Sequence, residues 1–287
     1  MKEVVKLIER HVYENRLDRA SGLNILLDYL IDLFDVSHYI NETFESNVQK
    51  KSEESPCLFK ICLLWFEKVA DAMDKGSFFD FFGGIYEEMY QSKSKAKGMG
   101  QFFTPPSVAE LMTRIQLKDK GKDKHVADNG GCGSGINILA HFAVNGYKDA
   151  YYRGDDLDIT SVKMAALNMM AHGMRGEVVQ HDVLVNPILF DYGFRINDIR
   201  YPIPSPFYSL TRIHLTKEDI EKQNERVRKK YGENVKVAKY TGYEVVKPLE
   251  GAKPIIKPVF ANPPIKEVKQ EEVKEEYKGY TQLSLFD

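Results

Sequence analysis

The sequence predicts an α/β fold in which a helical N-terminal region precedes a mainly parallel sheet. The first hundred residues carry apolar side chains at helical spacing, and short β-like runs alternate with helix-like segments from about residue 125. A glycine-rich turn follows the first of these runs. Strands that alternate with helices indicate βαβ units, which place a ligand at the carboxyl ends of the strands.

Composition narrows the class of protein. Of 287 residues, 43% are hydrophobic, which is enough to form a core. No apolar run reaches the roughly eighteen residues of a membrane span, and the start lacks the apolar stretch of a signal peptide. Three cysteines cannot all pair and lack metal-ligand spacing, so we expect a cytoplasmic protein without a metal site: Cys57, Cys62 and Cys132.

Two amphipathic helices are predicted in the N-terminal region, which we take as residues 1–98. Ser21–Asp35 and Leu58–Met73 each place their apolar side chains on one stripe, and Ser21 is a plausible N-cap. The polar segment Asn41–Ser55 separates them and is followed by a proline. We therefore expect a loop there.

Strand-like and helix-like segments alternate in the second region, residues 99–265. The strands are predicted at His125–Ala127, Ala150–Arg153, Glu177–Gln180 and Ile255–Ala261, with helices at Ile136–Val144 and Ser161–His172. A long segment, about residues 187–254, is expected to interrupt the sheet as an insertion before the fourth strand. Residues 212–257 hold twelve Lys/Arg against seven Asp/Glu, a local basic excess in a chain whose net charge is −2.

The glycine-rich turn is the first candidate ligand site. The run Asp128-Asn129-Gly130-Gly131-Cys132-Gly133-Ser134-Gly135 follows a strand and opens a helix. Glycines let the backbone approach a ligand closely, and the N-terminus of a helix offers free N–H groups. The spacing matches neither a dinucleotide GxGxxG pattern nor a P-loop, and a tight βα turn without a ligand would look similar.

Acidic residues follow the next two strands. Asp156, about twenty residues beyond the turn, can accept hydrogen bonds from both ribose hydroxyls of a nucleoside. Asp158 is placed to cap the next helix, which is compatible with that role of Asp156. Asp182 could meet an adenine amino group, although a solvated loop aspartate is the commoner case. Together these strand ends suggest a nucleoside-containing ligand.

A rigid turn follows the fourth predicted strand, with the sequence Asn262-Pro263-Pro264-Ile265. The two prolines remove backbone donors, so the Asn262 side chain and the Pro263 carbonyl can both present acceptors to one amino group. Hydrogen bonds of that kind hold an aromatic amine in place and make its lone pair more available for attack.

The order of these motifs resembles that of a known family. The motifs are Asp80–Glu87, Gly100-Gln101-Phe102-Phe103-Thr104-Pro105, the glycine turn, Asp156, Leu167–Gly173, Asp182 and Asn262-Pro263-Pro264. Their order is similar to that of type I restriction-modification methylation subunits, which are N6-adenine DNA methyltransferases. The resemblance covers about residues 78–185 and 255–265, and the Gly-Gln-Phe-Phe-Thr-Pro segment is its most specific element.

The resemblance implies a Rossmann-like methyltransferase that depends on S-adenosylmethionine and acts on DNA. The target adenine would be flipped out of the duplex, with its amino group bound by Asn262 and Pro263 and its ring beside Ile265. A specificity or completing subunit is an implied partner. The implied cofactor-binding residues are Phe102, Phe103, Thr104, Pro105, Asp128, Gly131, Gly133, Ser134, Gly135, Asp156 and Asp182.

Three features depart from the family pattern. Asn129 stands where the turn usually has its acidic residue, Asp128 lies one position earlier, and Gly130 replaces the usual proline. Ile265 stands where an aromatic side chain normally stacks on the flipped base. Third, only residues 266–287 follow Ile265, so we expect the sheet to be truncated after its fourth strand. Strand-like residues 235–246, or a partner chain, would then cover its edge.

The tail, residues 266–287, reads as a charged linker that ends in an apolar peptide. Gln282-Leu283-Ser284-Leu285-Phe286 is similar to the short peptide by which many bacterial and phage DNA-processing proteins bind the sliding clamp. Gln282, Leu283, Leu285 and Phe286 would make the contacts. In the alternative, the tail folds back and packs Leu285 and Phe286 on its own domain.

Two other functions are compatible with the sequence. A catalytically degenerate relative could serve as a cofactor-binding, DNA-binding or interaction subunit, and Ile265 together with the missing strands motivates this alternative. Enzymes that methylate a protein glutamine or RNA also use Asn-Pro-Pro-type loops. The Gly-Gln-Phe-Phe-Thr-Pro segment argues against that last class.

Overall fold

The structure, a computed structural model, describes most of the first 213 residues. The described residues are 1–18, 21–36, 44–90, 103–117, 123–147, 150–183, 192–198 and 208–213, single positions between 218 and 232, and the backbone of 280–282. Among them, none of the helices is both long and apolar enough to cross a bilayer. The three cysteines are free and buried.

Within the described part of the N-terminal region, the chain is helical. The helices are α1 (Lys2–Glu14), α2 (Gly22–Phe34), α3 (Phe44–Glu54), α4 (Pro56–Asp74) and α5 (Phe81–Tyr90). The predicted stripes of α2 and α4 are confirmed, because their apolar side chains are buried. Ser21 is the N-cap residue of α2, but its hydroxyl donates to the Asp18 carbonyl and does not cap the helix.

The prediction of a loop over Asn41–Ser55 is wrong, because most of that segment is helix α3. Phe44 and Val48, one turn apart, pack against the core, and the Tyr29 hydroxyl of α2 donates to the Lys51 carbonyl at 2.9 Å. Two apolar side chains do not make a recognisable stripe. Tertiary packing on one face therefore stabilises this helix, and periodicity could not predict it.

The second region contains three parallel strands connected by helices, as predicted. After α6 (Pro106–Gln116) come β1 (His125–Asp128), α7 (Ile136–Val144), β2 (Tyr151–Asp156), α8 (Ile159–Ala171) and β3 (Arg175–Gln180). Asp128 of β1 pairs with Gly154 of β2, and Asp156 of β2 pairs with Gln180 of β3. The carboxyl ends of the three strands therefore lie side by side, and we call this end of the sheet the carboxyl edge.

Two strands within the predicted insertion continue the sheet beyond β3. They are β4 (Tyr192–Ile196) and β5 (Leu210–Ile213), and each is antiparallel to its neighbour. The segment predicted as an insertion over residues 187–254 therefore contributes two strands to the sheet, and its bounds stay a prediction. The connection over 181–191 is too short for a helical crossover, which takes a dozen or more residues, so the chain returns in the antiparallel direction.

Strand β6 (Tyr280–Gln282) lies on the other side of β1 and parallel to it. The described strand order is β5-β4-β3-β2-β1-β6, with β6 supplied by the tail, and truncation of the sheet after the fourth predicted strand stays a prediction. Among the described strands, β6 alone pairs with this side of β1, whose backbone would otherwise be an unpaired edge. The predicted strand Ile255–Ala261 and the covering segment 235–246 lie outside the described residues.

One hydrophobic core runs from the N-terminal helices to the sheet. Helix α2 faces α8, where Lys163 pairs with Asp28 at 2.6 Å. Arg212 of β5 reaches the buried Asp35 just beyond α2 at 3.0 Å. The helical region therefore supports one side of the sheet directly, and the predicted domain boundary at residue 98 stays a prediction.

Candidate functional site

The glycine turn lies between β1 and α7, and hydrogen bonds fix its backbone. Gly133 N donates to Asp156 Oδ2 at 2.8 Å, and Cys132 N donates to the Asp155 carbonyl at 2.9 Å. Gly133 and Gly135 have φ angles of 56° and 86°, in the left-handed region that favours glycine. The N-cap residue of α7 is Gly135, which has no side chain to accept from the first N–H groups, and a helix N-terminus of this kind suits an anionic ligand.

Asp128 is a buried carboxylate at the end of β1. It is 2% exposed and accepts from Asn137 Nδ2 at 3.2 Å and from Gly130 N at 3.4 Å. Burial raises the pKa of Asp128 to about 6, against the effect of these two hydrogen bonds. The side-chain oxygens of Asn129 and Asn137 are buried and accept no hydrogen bond from the described residues. We call these three side chains the acceptor cluster, and its chemistry favours a cationic ligand.

Asp156, at the end of β2, is hydrogen-bonded through both carboxylate oxygens. Oδ2 accepts from Gly133 N, and Oδ1 accepts from Asp158 N at 2.8 Å. Burial raises the pKa of Asp156, although these backbone donors act in the opposite direction. Each carboxylate oxygen has a second lone pair, so Asp156 can still accept from a ligand hydroxyl. Asp158 caps α8 by accepting from Thr160 N and Ser161 N, as predicted.

Leu157 and Asp182 also lie at the carboxyl edge. Asp182 is half-buried, two residues beyond the end of β3. Leu157 directly follows Asp156, and its side chain is 65% exposed. An exposed apolar side chain beside polar groups gives a ligand ring a surface to pack against. Sequence analysis missed Leu157, because one leucine after an acidic residue is too common a pattern to predict a site.

The segment ahead of α6 packs against the glycine turn. Phe103 covers Gly133 so closely that a Cβ on Gly133 would lie 2.9 Å from the phenylalanine ring. Tyr86 of α5 meets Phe103 in a T-shaped arrangement, with ring centroids 5.0 Å apart. Thr104 follows in the chain, and Pro105 is the N-cap residue of α6. An aromatic side chain thus closes one side of the turn.

A network of ion pairs lies beside the glycine turn, and sequence analysis did not predict it. Arg153 binds both oxygens of Asp155, at 3.0 and 2.9 Å, and reaches Glu177 at 2.7 Å. His181 Nδ1 lies 2.7 Å from Asp155 Oδ1. Burial acts to raise the pKa of Asp155, but the hydrogen bonds and charges of His181 and Arg153 hold it below its usual value. Arg153 and Asp155 share a face of β2 at the two-residue period of a strand, which is the signal that could have revealed the pair.

Several predicted site residues lie outside the described residues: Phe102, Asn262, Pro263, Pro264, Ile265, Leu283, Leu285 and Phe286. Of the described ones, Ser134 is fully buried and its hydroxyl donates to Asp80, so this side chain does not face a ligand. Gln282 lies in β6 beside Ala127. Asp128, Gly131, Gly133, Gly135, Asp156 and Asp182 lie at the carboxyl edge, and Phe103 packs against Gly133 there.

Comparisons with known proteins bear on the same part of the chain. Residues 78–241, more than half of the chain, match the model of the family described as N-6 DNA Methylase. The Type I restriction enzyme MpnII methylase subunit of Mycoplasma pneumoniae (strain ATCC 29342 / M129 / Subtype 1) is 33% identical over 110 residues, which are 36% of this chain and 20% of that protein. The chain therefore spans about a fifth of the length of this curated relative.

A solved structure is similar to this chain at lower identity. It is the crystal structure of the type I restriction-modification system methyltransferase subunit from Streptococcus thermophilus. The two chains are 17% identical, with a TM-score of 0.35, and the match covers 66% of this chain and 62% of the other.

Proposed function

The chain belongs to the N-6 DNA methylase family, and from this premise we propose that it methylates the N6 amino group of adenine in DNA with S-adenosylmethionine. One observation carries the proposal. At the carboxyl edge, the acceptor cluster, an uncapped helix N-terminus and the Asp156 carboxylate lie together. These are three chemically different partners for three different groups of that cofactor.

The residues at the carboxyl edge fit the cofactor group by group. Its ammonium group needs acceptors, which Asp128 and the two buried asparagine oxygens beside it offer. Its carboxylate suits the N–H groups at the start of α7. Its ribose hydroxyls suit the remaining lone pairs of Asp156, while Leu157 and Asp182 suit the adenine ring and its amino group.

Asn262 and Pro263 are proposed to hold the target amino group through their side-chain and carbonyl oxygens. Bound S-adenosylmethionine supplies an electrophilic methyl group on a positively charged sulfur. With the target amino group held in this way, its nitrogen would accept the methyl group, the C–S bonding pair would stay on the sulfur, and the proton of the nitrogen would leave to solvent. Alignment of the two reacting atoms supplies most of the acceleration, so this chemistry needs no strong general base.

Methyl transfer from labelled S-adenosylmethionine tests this function. We expect label in N6-methyladenine after digestion of an adenine-containing duplex, and none in the same duplex with its adenines already methylated at N6. The Asn262→Ala variant should bind the cofactor like the wild type but transfer no label. Absence of transfer by the wild type, or equal transfer by Asn262→Ala, would contradict the proposal. Binding without turnover would identify a degenerate enzyme.

We also propose DNA and a specificity or completing subunit as partners. The curated relative is named as a subunit of a restriction enzyme, and the present chain spans about a fifth of it. Adding candidate partner chains to the transfer assay tests this proposal directly. Stimulation of transfer by a co-purifying chain would support it, and full activity of the chain alone would remove the need for a partner.

Binding of the sliding clamp through Gln282, Leu283, Leu285 and Phe286 stays a separate proposal. The backbone of Tyr280–Gln282 pairs with β1, so the first residue of the peptide is part of the sheet. A clamp pull-down with the Leu285→Ala and Phe286→Ala variants tests the peptide. Equal retention of wild type and variants would count against it.

A further inference from the structure

We infer that Asp80 is a positioning residue for the glycine turn, and that it acts through Ser134. This inference rests on the proposed function and deepens it. It assigns to the cofactor site a residue that holds the glycine turn in place and does not itself face the ligand. Asp80 lies 54 positions before Ser134 in the chain, and its carboxylate accepts the Ser134 hydroxyl hydrogen. Three steps support the inference.

First, Ser134 is held at two points. Asp80 Oδ2 accepts from its hydroxyl, while Asn168 Nδ2 of α8 donates to its carbonyl at 2.9 Å. The same Asn168 Nδ2 donates to Asp80 Oδ1 at 2.7 Å, which joins the three residues in one hydrogen-bonded cluster. Ser134 is fully buried, so this cluster, and not a ligand, decides where its side chain lies.

Second, Ser134 lies between two glycines, whose backbones can adopt more conformations than those of other residues. Gly133 and Gly135, on either side of it, both have positive φ angles, and glycine loses more conformational freedom on folding than any other residue. Fixing the residue between them restricts both. Gly133 N then meets Asp156, and Gly135 begins the open N-terminus of α7.

Third, the chain around Asp80 is arranged to hold this carboxylate. Gly83 N donates to Asp80 Oδ1 at 2.8 Å, and a Cβ on Gly83 would run into the Asp80 carboxylate. His172, one helical turn after Asn168, accepts from Phe79 N at 3.2 Å. Burial lowers the pKa of His172 to about 4, so its ring is neutral at pH 7 and Nε2 can accept. Asn168 of α8 and His172, the residue that ends this helix, thus hold residues 79 and 80 in place.

Two variants of Asp80 separate its hydrogen bonding from its charge. Asp80→Ala removes all the bonds of the carboxylate. Asp80→Asn keeps an acceptor for Gly83 N and Asn168, and presents an NH₂ group to the Ser134 hydroxyl, which can accept as well as donate. We expect Asp80→Ala to weaken S-adenosylmethionine binding about tenfold or more, and Asp80→Asn to stay within about threefold of the wild type, as measured by calorimetry.

Amide hydrogen exchange of the ligand-free protein gives a reading that does not depend on the cofactor. The Gly133 and Gly135 amides are hydrogen-bonded, so they should exchange slowly in the wild type and Asp80→Asn. In Asp80→Ala they should exchange at least about tenfold faster. Unchanged exchange together with unchanged binding in Asp80→Ala overturns the inference. A wild type that binds no S-adenosylmethionine overturns the proposed function, while exchange still decides the role of Asp80.

A matched control separates positioning from general destabilisation. Asn197, which is remote in the chain from the turn, donates to the Met170 and Met174 carbonyls at the end of α8. Asn197→Ala should lower the melting temperature while cofactor affinity and Gly133 exchange stay at wild-type values. Equal loss of affinity in this control would show that stability alone decides binding, against the inference.

Ser134→Ala removes one hydroxyl and completes the test. It should reproduce the weaker binding, and it should add little to Asp80→Ala, because both changes break the same link. Fully additive effects would show that Asp80 does not act through Ser134. Should Asp80→Ala fail to fold, Ser134→Ala and Asn168→Ala supply the binding and exchange measurements.

Discussion

Two groups of buried acceptors lie next to each other at the ends of β1 and β2, and they differ in how they are satisfied. The Asp155 carboxylate is bound by Arg153 through two hydrogen bonds and contacts His181. The Asp128 carboxylate has two long hydrogen bonds and no cation among the described residues, and two asparagine oxygens beside it accept nothing there. The pKa of Asp155 is lowered as a result, and that of Asp128 is raised to about 6.

The difference separates structural support from ligand binding. A buried carboxylate that is fully paired holds its surroundings in place, whereas unpaired buried acceptors are unfavourable unless something else satisfies them. We therefore expect changes in the Asp155 network to lower stability, and changes at Asp128 to alter ligand affinity and pH dependence.

The largest expected effect is that of Arg153→Met. It removes the Arg153 guanidinium from Asp155, whose side chain is 2% exposed, and from Glu177. Breaking a buried ion pair on one side costs about 3–5 kcal/mol, and urea unfolding measures this loss. Lys163→Met is the matched control, because its partner Asp28 is 57% exposed, and it should cost less than about 1 kcal/mol. Similar losses of unfolding free energy in Arg153→Met and Lys163→Met would show that the Asp155 network is no more important for stability than an exposed ion pair.

The pH dependence of stability gives the next effect in size. Asp128 has a pKa of about 6 when folded and an ordinary value of 3.8, so the folded state binds its proton more tightly. The stability that Asp128 contributes through this difference in pKa is complete below about pH 4 and is lost as the pH rises through 6. At about 1.4 kcal/mol per pKa unit, the difference between wild type and Asp128→Asn should change by about 2.5 kcal/mol between pH 4 and 7.5.

Free energies of unfolding for both proteins at the two pH values measure this change. Asp128→Asn keeps the shape of the side chain but cannot titrate, so other groups cancel in the comparison. A difference that stays constant, or that favours the wild type at high pH, would show that Asp128 is not held in the way its burial indicates.

Cofactor affinity should fall about 10- to 100-fold in Asp128→Asn at pH 7.5, because one charged hydrogen bond is worth about 1.5–3 kcal/mol. Calorimetry with S-adenosylmethionine measures the loss. Methylthioadenosine, which lacks the amino-acid part of the cofactor, is the control ligand and should bind both proteins equally. Equal weakening of both ligands would place the ammonium group elsewhere.

Asp158→Ala should have the smallest effect. Asp158 accepts from the Thr160 and Ser161 amides as the cap of α8, and losing such a cap costs about 1 kcal/mol. Thermal unfolding should show this modest loss, and Asp158→Asn should restore most of it. A loss as large as that of Arg153→Met would mean that Asp158 belongs to the charged network at the strand ends.

Local signals in the sequence were enough for much of the fold. The stripes of α2 and α4 and the three parallel strands follow from spacing within one element, and the structure confirms them. Helix α3 and strands β4 and β5 were missed because contacts with distant parts of the chain stabilise them. The strand in the charged tail was missed for the same reason.

The candidate site divides in the same way. The turn and the strand-end aspartates are adjacent to recognisable strands, so their place at one edge was predictable. The Asp80 contact with Asn168 spans 88 positions, and the Phe79 contact with His172 spans 93. Spacing along the chain carries no signal at such separations, although the motifs that hold these residues had been recognised by resemblance.

The melting temperature of the chain with and without S-adenosylmethionine tests the central claim most directly. A ligand that binds the folded state must stabilise it, by about 2.7 kcal/mol at a hundred times its Kd. We predict a melting temperature that rises steadily with cofactor concentration in the wild type, and a smaller rise at each concentration in Asp128→Asn. An unchanged melting temperature at millimolar cofactor would contradict the assignment of the carboxyl edge as the cofactor site.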